Sequence, residues 1–227
     1  LFLDHPRFTD ELLKNLVASV EIQVEYLIRH LAPDMNWRIS QADCLVSCGL
    51  HLRFLPRAAD WLKLGVRLLN DARHRQIRPG GVHMECNPGY HHWMTRVMHR
   101  YWELATAAPE LGLCMTRELV AEMYDYALAS TRPFGGYNGM HDSAGAIGGS
   151  APHDPPPDFS VHHGRAAFRK QAGLPEAMPP TRQWYPSAGQ ALLRDSWGKD
   201  ATYLTFDATV WGGAHCHLSR NTIQVHA

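Results

Sequence analysis

Apolar side chains in the first part of the chain recur three and four residues apart, the spacing that lines one face of an α-helix. Leu13, Leu16, Val17, Val20, Val24, Leu27, Ile28 and Leu31 form the first such run, and Pro33 closes it. A second helix is predicted from about Gln41 to Phe54, ended by Pro56. Trp61, Leu64, Gly65, Leu68 and Ala72 give a third stripe, which stops before Pro79-Gly80-Gly81. A fourth runs through Trp93, Met94, Val97, Met98, Tyr101 and Ala105 to Pro109, and a fifth through Leu119, Val120, Met123, Tyr124, Ala127 and Leu128 to Pro133. Helices of this length with short connections pack as antiparallel hairpins, and an array of them curves into a solenoid or toroid.

From Arg132 to about Gln183 the helical period gives way to Gly, Pro, His and Ser, including Gly135-Gly136, Gly148-Gly149 and Pro155-Pro156-Pro157. A stretch of that length without regular structure reads as a linker or a functional loop. Beyond it the period becomes two. Ala201, Tyr203 and Thr205 alternate with Leu204 and Phe206, and Thr222-Ile223-Gln224-Val225 reads likewise, so strands are predicted. Helices first and strands afterwards predict an α+β multidomain chain with segregated parts: helical residues 1–133, a connecting segment 134–183, and a strand domain 184–227. The chain starts at Leu1 and stops within the last predicted strand, so both the helical array and the strand domain are expected to be incomplete.

Composition narrows the partners. A chain of 227 residues with 45% hydrophobic content buries a substantial core. Lysine plus arginine balance aspartate plus glutamate, which gives no reason to expect nucleic acid, and no apolar run is long enough to insert in a membrane. Residues 51–100 nevertheless hold eight arginines and one lysine against Asp60, Asp71 and Glu85. That local excess suits an anionic ligand, although a solvated helix face explains it equally well. The five cysteines are odd in number and spread out, so they do not form a disulfide framework, and they lack the paired spacing of a zinc site. Cys44 and Cys48, one helical turn apart among apolar residues, read as small buried thiols.

The candidate chemistry lies in two distant clusters. Asn87-Pro88-Gly89-Tyr90-His91-His92 follows a helical stretch, whereas Ala214-His215-Cys216-His217 follows a strand. Proton-transfer groups carried on two architectures predict an acid/base site at a domain junction. Pro88-Gly89 places Tyr90 near a helix start, where backbone N–H groups favour an anionic phenolate. A phenol titrates ordinarily near pH ~10 and becomes a base only where positive charge lowers that value, a role open to His91, His92 and the arginines. The plainer reading has Tyr90 capping the core, His91 packing inside, and most of the 15 histidines at the surface or satisfied in the interior.

The order of these segments resembles the heparinase II/III-like family of polysaccharide lyases. It runs through Asn36-Trp37-Arg38, Gln76 with Gly80-Gly81-Val82-His83-Met84-Glu85, and Asn87-Pro88-Gly89-Tyr90-His91. Tyr185-Pro186-Ser187-Ala188-Gly189, Leu193-Arg194-Asp195-Ser196-Trp197 and Gly212-Gly213-Ala214-His215-Cys216-His217 follow. The resemblance implies an N-terminal α/α toroid followed by an antiparallel β-sandwich, with an acidic, uronate-containing polysaccharide or oligosaccharide bound between them. It implies abstraction of the C5 proton of a uronate and elimination of the 4-linked sugar, with no cofactor required. Asn36 matches the asparagine that neutralises the substrate carboxylate, Tyr90 the catalytic tyrosine and His215 the catalytic histidine. Substrate contact is then expected of Trp37, Arg38, Glu85, His91 and Arg194. His217 falls where some members bind a structural divalent, zinc-like metal.

Two departures bear on this expectation. Trp37 stands where the family often has histidine after the asparagine, a loss for which Arg38 could compensate, and Ser219 stands where it has aspartate, which weakens the case for a metal. Asp142, within Asn138-Gly139-Met140-His141-Asp142-Ser143, also resembles a family element, and a turn-forming aspartate accounts for it as well. A C5-epimerase would share every step before leaving-group departure, and an inactive carbohydrate-binding relative would keep the cleft alone. The residues leave these alternatives open.

Overall fold

Thr9 starts the first helix by accepting a hydrogen bond from Leu12 N at 3.2 Å. Asp10 and Glu11 in its first turn and Arg29 in its last complement the helix dipole. This helix, α1 (Asp10–Arg29), is followed by α2 (Met35–His51), which Asp34 caps, and by α3 (Ala58–Gln76). The second helix thus begins at Met35, ahead of the Gln41 expected from the apolar period, so the segment 36–38 is helical. The computed structural model describes residues 5, 7–133, 135–143, 157–210, 213, 215–217 and 221–226, with 157–160 as backbone alone. They form two compact units, residues 1–65 and 66–227.

In the first unit, α2 and the start of α3 pack so closely that a Cβ on Gly49 would lie 2.7 Å from Leu62, and one on Gly65 2.7 Å from Val46. Ile39, Ala42, Leu45, Val46 and Trp61 are buried there. The indole N–H of Trp61 is satisfied by Glu25 Oε1 at 2.9 Å, while Glu25 Oε2 pairs with Arg57 at 3.0 Å.

The second unit continues through α4 (Pro88–Ala107), a short 3-10 turn (Pro109–Leu111), α5 (Arg117–Ala129) and α6 (Pro157–Gln171). Four strands follow, β1 (Arg182–Tyr185), β2 (Gln190–Arg194), β3 (Tyr203–Asp207) and β4 (Thr222–His226), in an antiparallel sheet of order β1-β2-β3-β4. Leu192 pairs with Thr205, and Thr205 with Gln224. Residues Tyr185 to Gly189 make the β1–β2 turn, closed by Ala188 N donating to Tyr185 O at 2.9 Å.

Two expectations are corrected by this arrangement. The stretch 134–183, read as lacking regular structure, contains α6. Val161, Arg165 and Phe168, at helical spacing, are its buried positions among the described residues, and Arg165 is held by Asp125 at 2.6 Å. The strands also do not segregate from the helices at residue 133. One core joins Val82, Cys86, Tyr126, Ala129 and Met140 with Tyr185, Ala188, Leu192 and Tyr203, so the inner face of the sheet is buried against the helices and the segments that connect them. No described helix is long and apolar enough to cross a membrane.

Candidate active site

The site grows from the turn between α3 and α4. Met84 N donates to Gln76 O at 2.7 Å and Arg78 N to Val82 O at 2.8 Å, closing residues 76–84 into a tight hairpin. Gly81, at φ 77°, lies so close to α5 that a Cβ would sit 2.5 Å from Met123 N, so glycine is required. Arg78 donates to Ser187 O at 3.1 Å and Ser187 Oγ to Pro79 O at 2.6 Å, which fastens this hairpin to the β1–β2 turn.

The hairpin seats His83, whose backbone N–H donates to Nδ1 of His91 at 3.2 Å. Nε2 of His91 faces Met123 O at 2.8 Å and therefore carries the proton. Both rings are fully buried. Burial holds His91 down at about 4, only partly offset by its bond to Met123, and burial with the charges of His91, Arg78 and His215 holds His83 down at about 3. His91 is thus a neutral packing residue linking the hairpin, α4 and α5. The substrate contact expected of it is not where its nitrogens point.

Asn87, also fully buried, caps α4 through Oδ1, which accepts from Tyr90 N at 3.1 Å, and Pro88 fills the first helical position. The same Oδ1 accepts from Ser143 Oγ at 3.0 Å, and Nδ2 donates to His215 O at 3.4 Å. One turn into the helix, the half-buried Tyr90 ring stacks on His215, with centroids 3.7 Å apart and planes 16° from parallel. Near-parallel planes at this spacing exclude an in-plane hydrogen bond between the two, so each ring keeps its own edge for proton transfer. Nδ1 of His215 lies 2.9 Å from Asp142 Oδ2, and Asp142 N donates to His215 O at 3.3 Å. With Nδ1–H directed at a carboxylate, the lone pair of the neutral ring is on Nε2.

Tyr90 and His215 are the two site residues from distant parts of the sequence that the structure joins. A family model described as Heparinase II/III N-terminus matches residues 1–137. The chain belongs to the heparinase II/III family. It is 29% identical over 91 residues to the heparin-sulfate lyase of Pedobacter heparinus, an overlap of 40% of this chain and 14% of that protein. The crystal structure of a heparinase III superposes with a TM-score of 0.77 at 17% identity, covering 99% of this chain and 38% of that one. The heparan sulfate lyase HepC of Pedobacter heparinus gives a TM-score of 0.63 at 20% identity, covering 99% and 36%. These structural likenesses are of fold, and the chain spans little more than a third of either solved protein.

The other residues marked by the heparinase II/III resemblance are placed differently. Asn36 is buried in the first turn of α2, its carbonyl accepting from Ser40 Oγ at 2.9 Å, while Trp37 is exposed. Arg38 donates through Nε to Ala32 O and through Nη2 to Pro33 O at 3.2 Å, so its guanidinium closes the α1–α2 turn. Glu85 is fully buried. Arg194 is buried too, giving hydrogen bonds to Ala129 O at 2.9 Å and Thr131 O at 2.7 Å, with Trp197 and Tyr203 rings 4.0 and 4.7 Å from its guanidinium. Arg38, His91 and Arg194 thus have their polar groups engaged inside the fold.

Behind the stacked pair lies a polar network that the sequence did not flag. His141, at φ 58°, accepts from His217 N at 3.1 Å through Nδ1, and its Nε2 is 3.2 Å from Asp207 Oδ2 on β3. Burial lowers the pKa of His141, and Asp207 opposes this. Asp207 Oδ1 accepts from Thr209 N at 3.0 Å and Gln190 Nε2 at 3.4 Å, and Gln190 Oε1 accepts from Tyr126 OH at 2.7 Å. The His217 side chain is exposed, and among the described residues no three His, Cys, Asp or Glu side chains could hold a metal ion. Both His141 nitrogens already face other partners, so the described residues do not supply His217 with a ligand set. Ser219, Gly212 and Ala214 lie outside the described residues.

Proposed function

We propose that this chain carries the proton-transfer residues of a polysaccharide lyase that cleaves a uronate-containing glycosaminoglycan by β-elimination. The observation that carries the reading is the Tyr90–His215 stack with Asp142 on His215 Nδ1, within a chain of the heparinase II/III family. His215 Nε2 takes the C5 proton when that hydrogen faces it, and Tyr90 OH gives its proton to the departing 4-linked oxygen. Where the hydrogen lies on the other face of the sugar, Tyr90 acts as both base and acid. The electron pair left at C5 moves toward the carboxylate, forms the C4–C5 double bond and expels the C4 oxygen. Asn36 is proposed, on the resemblance, to donate to that carboxylate as its charge grows.

The names of the relatives, heparin-sulfate and heparan sulfate lyases, support a sulfated glycosaminoglycan as substrate. On the same resemblance the helices belong to an α/α toroid and the sheet to the start of a β-sandwich. The test is to challenge the full-length protein with heparan sulfate, heparin, chondroitin sulfate and alginate and to follow the ultraviolet absorbance of the unsaturated product. A rise with at least one uronan is expected. Exchange of the C5 hydrogen with solvent without cleavage, or binding without either, would replace the lyase by an epimerase or by a binding protein.

A further inference from the structure

We infer that Asn87 is a positioning residue that sets the stack of Tyr90 on His215; the inference rests on the lyase reading for its effect on turnover. One amide touches the backbone of both residues of the pair. Its Oδ1 accepts from Tyr90 N at 3.1 Å and its Nδ2 donates to His215 O at 3.4 Å. Ser143 holds the amide in that orientation, donating its hydroxyl to Oδ1 at 3.0 Å while its own oxygen accepts from Gly89 N at 3.4 Å. Asp142, the neighbour of Ser143, grips His215 through both backbone and side chain. Three segments, 87–90, 142–143 and 215, therefore meet on a side chain that is fully buried.

The residue type separates this role from ordinary capping. Aspartate and serine cap helices as well as asparagine, and aspartate adds a favourable charge at a helix start. Neither carries an N–H that can reach the His215 carbonyl while the cap is kept. In the Asn87→Asp variant an oxygen of the ionised carboxylate would face the His215 carbonyl oxygen, where the contact is repulsive. A capping role alone predicts that Asn87→Asp and Asn87→Ser are silent. Positioning predicts that both keep the helix but loosen the stack.

The experiment uses the full-length protein at pH 8 with Asn87→Asp and Asn87→Ser. Helical circular dichroism and melting temperature report the cap, and the NMR shift of the His215 ring protons, displaced upfield by the Tyr90 ring current, reports the stack. The expected result is a melting transition within a few degrees of wild type, loss of the upfield shift, and a kcat lowered roughly 10- to 100-fold with KM little changed, as for a reacting group displaced by a fraction of an ångström. A wild-type shift and kcat in both variants would overturn the inference. Should neither variant fold, Ser143→Ala gives the same reading, since it frees the amide to turn, and an unchanged shift there would overturn it equally. Tyr90→Phe and His215→Ala, run in parallel, judge the lyase reading itself. If those are fully active the reading fails, while the His215 shift still decides the role of Asn87.

Discussion

Asp142 and His215 are joined twice, by Oδ2 to Nδ1 at 2.9 Å and by backbone N–H to carbonyl at 3.3 Å. The double link fixes both the ring plane and the tautomer, as a carboxylate does for any imidazole that must accept a proton on its far nitrogen. Asp142→Asn keeps the shape and the backbone bond but removes the negative charge. The Asp142 side chain is 59% exposed, so the fold should not suffer. Turnover on the accepted uronan should fall by about 10- to 100-fold, the usual loss for a partner that orients a reacting ligand. Steady-state kinetics checks this, and wild-type kcat would mean that Asp142 only shapes its turn.

Tyr90→Phe removes one hydroxyl and leaves the ring to stack on His215. A structural tyrosine would lose about 0.5 to 1.5 kcal/mol of stability and no turnover. A tyrosine that gives or takes the proton should lose at least ~10² in turnover, the lower end for general acid/base groups. Rate of product formation and affinity for the same uronan, measured together, separate the two. The expectation is a lost rate with binding retained.

Part of this was legible in the sequence, for reasons visible in particular residues. The apolar stripes of α3, α4 and α5 point into cores, so their period survives in the sequence, whereas α1 shows the period with only Val24 buried and Leu13 and Leu16 exposed. The period of α6 does not survive, because one of the three buried positions described in it is Arg165, neutralised by Asp125, and its first residue is Pro157. The sheet hides its inner face in the same way. Tyr203, Thr205 and Asp207 are buried while Leu204 and Phe206 are only partly so, since the inward side of β3 carries a satisfied polar network. Asn87-Pro88 could have been recognised as cap and first helical residue, and Tyr90 was placed at the helix start. The partnership of Tyr90 with His215 depends on long-range packing that no local period records; the two clusters of proton-transfer groups pointed to a shared site, and the resemblance singled out these two residues within them. The same resemblance assigned ligand contacts to Arg38, His91 and Arg194, whose polar groups hold turns, helices and strands together in this structure.

For Asn36, carried by the resemblance, the prediction is chemical. If its amide stabilises the growing charge on the substrate carboxylate, Asn36→Ala should cost on the order of 10² to 10³ in turnover, the usual loss of one oxyanion-type donor. The melting temperature should change little. An unfolded or strongly destabilised variant would instead identify Asn36 as a structural amide of the α2 start, where it is 3% exposed. Near wild-type turnover would remove it from the reaction.

Acid should destabilise this chain through its buried histidines before its carboxylates titrate. His83, His91 and His92 are held by burial at about 3, 4 and 4, below the ordinary value of 6.5. In the unfolded chain each binds a proton as pH drops through that ordinary value, whereas in the fold each stays neutral. The unfolded state then holds more protons, so stability is greatest above about pH 6.5 and declines as pH falls, at about 1.4 kcal/mol per pH unit for each such histidine, until the folded value is reached. His91→Gln preserves an acceptor for His83 N and a donor for Met123 O but cannot take up the proton. It should therefore remove one histidine's share of the slope between about pH 6 and about pH 4.5 while lowering stability at pH 8 by no more than the cost of imperfect packing. Urea unfolding at several pH values measures this directly. A variant that declines as steeply as wild type, or a wild type whose stability is flat across that window, would show that these imidazoles are not held neutral by the fold.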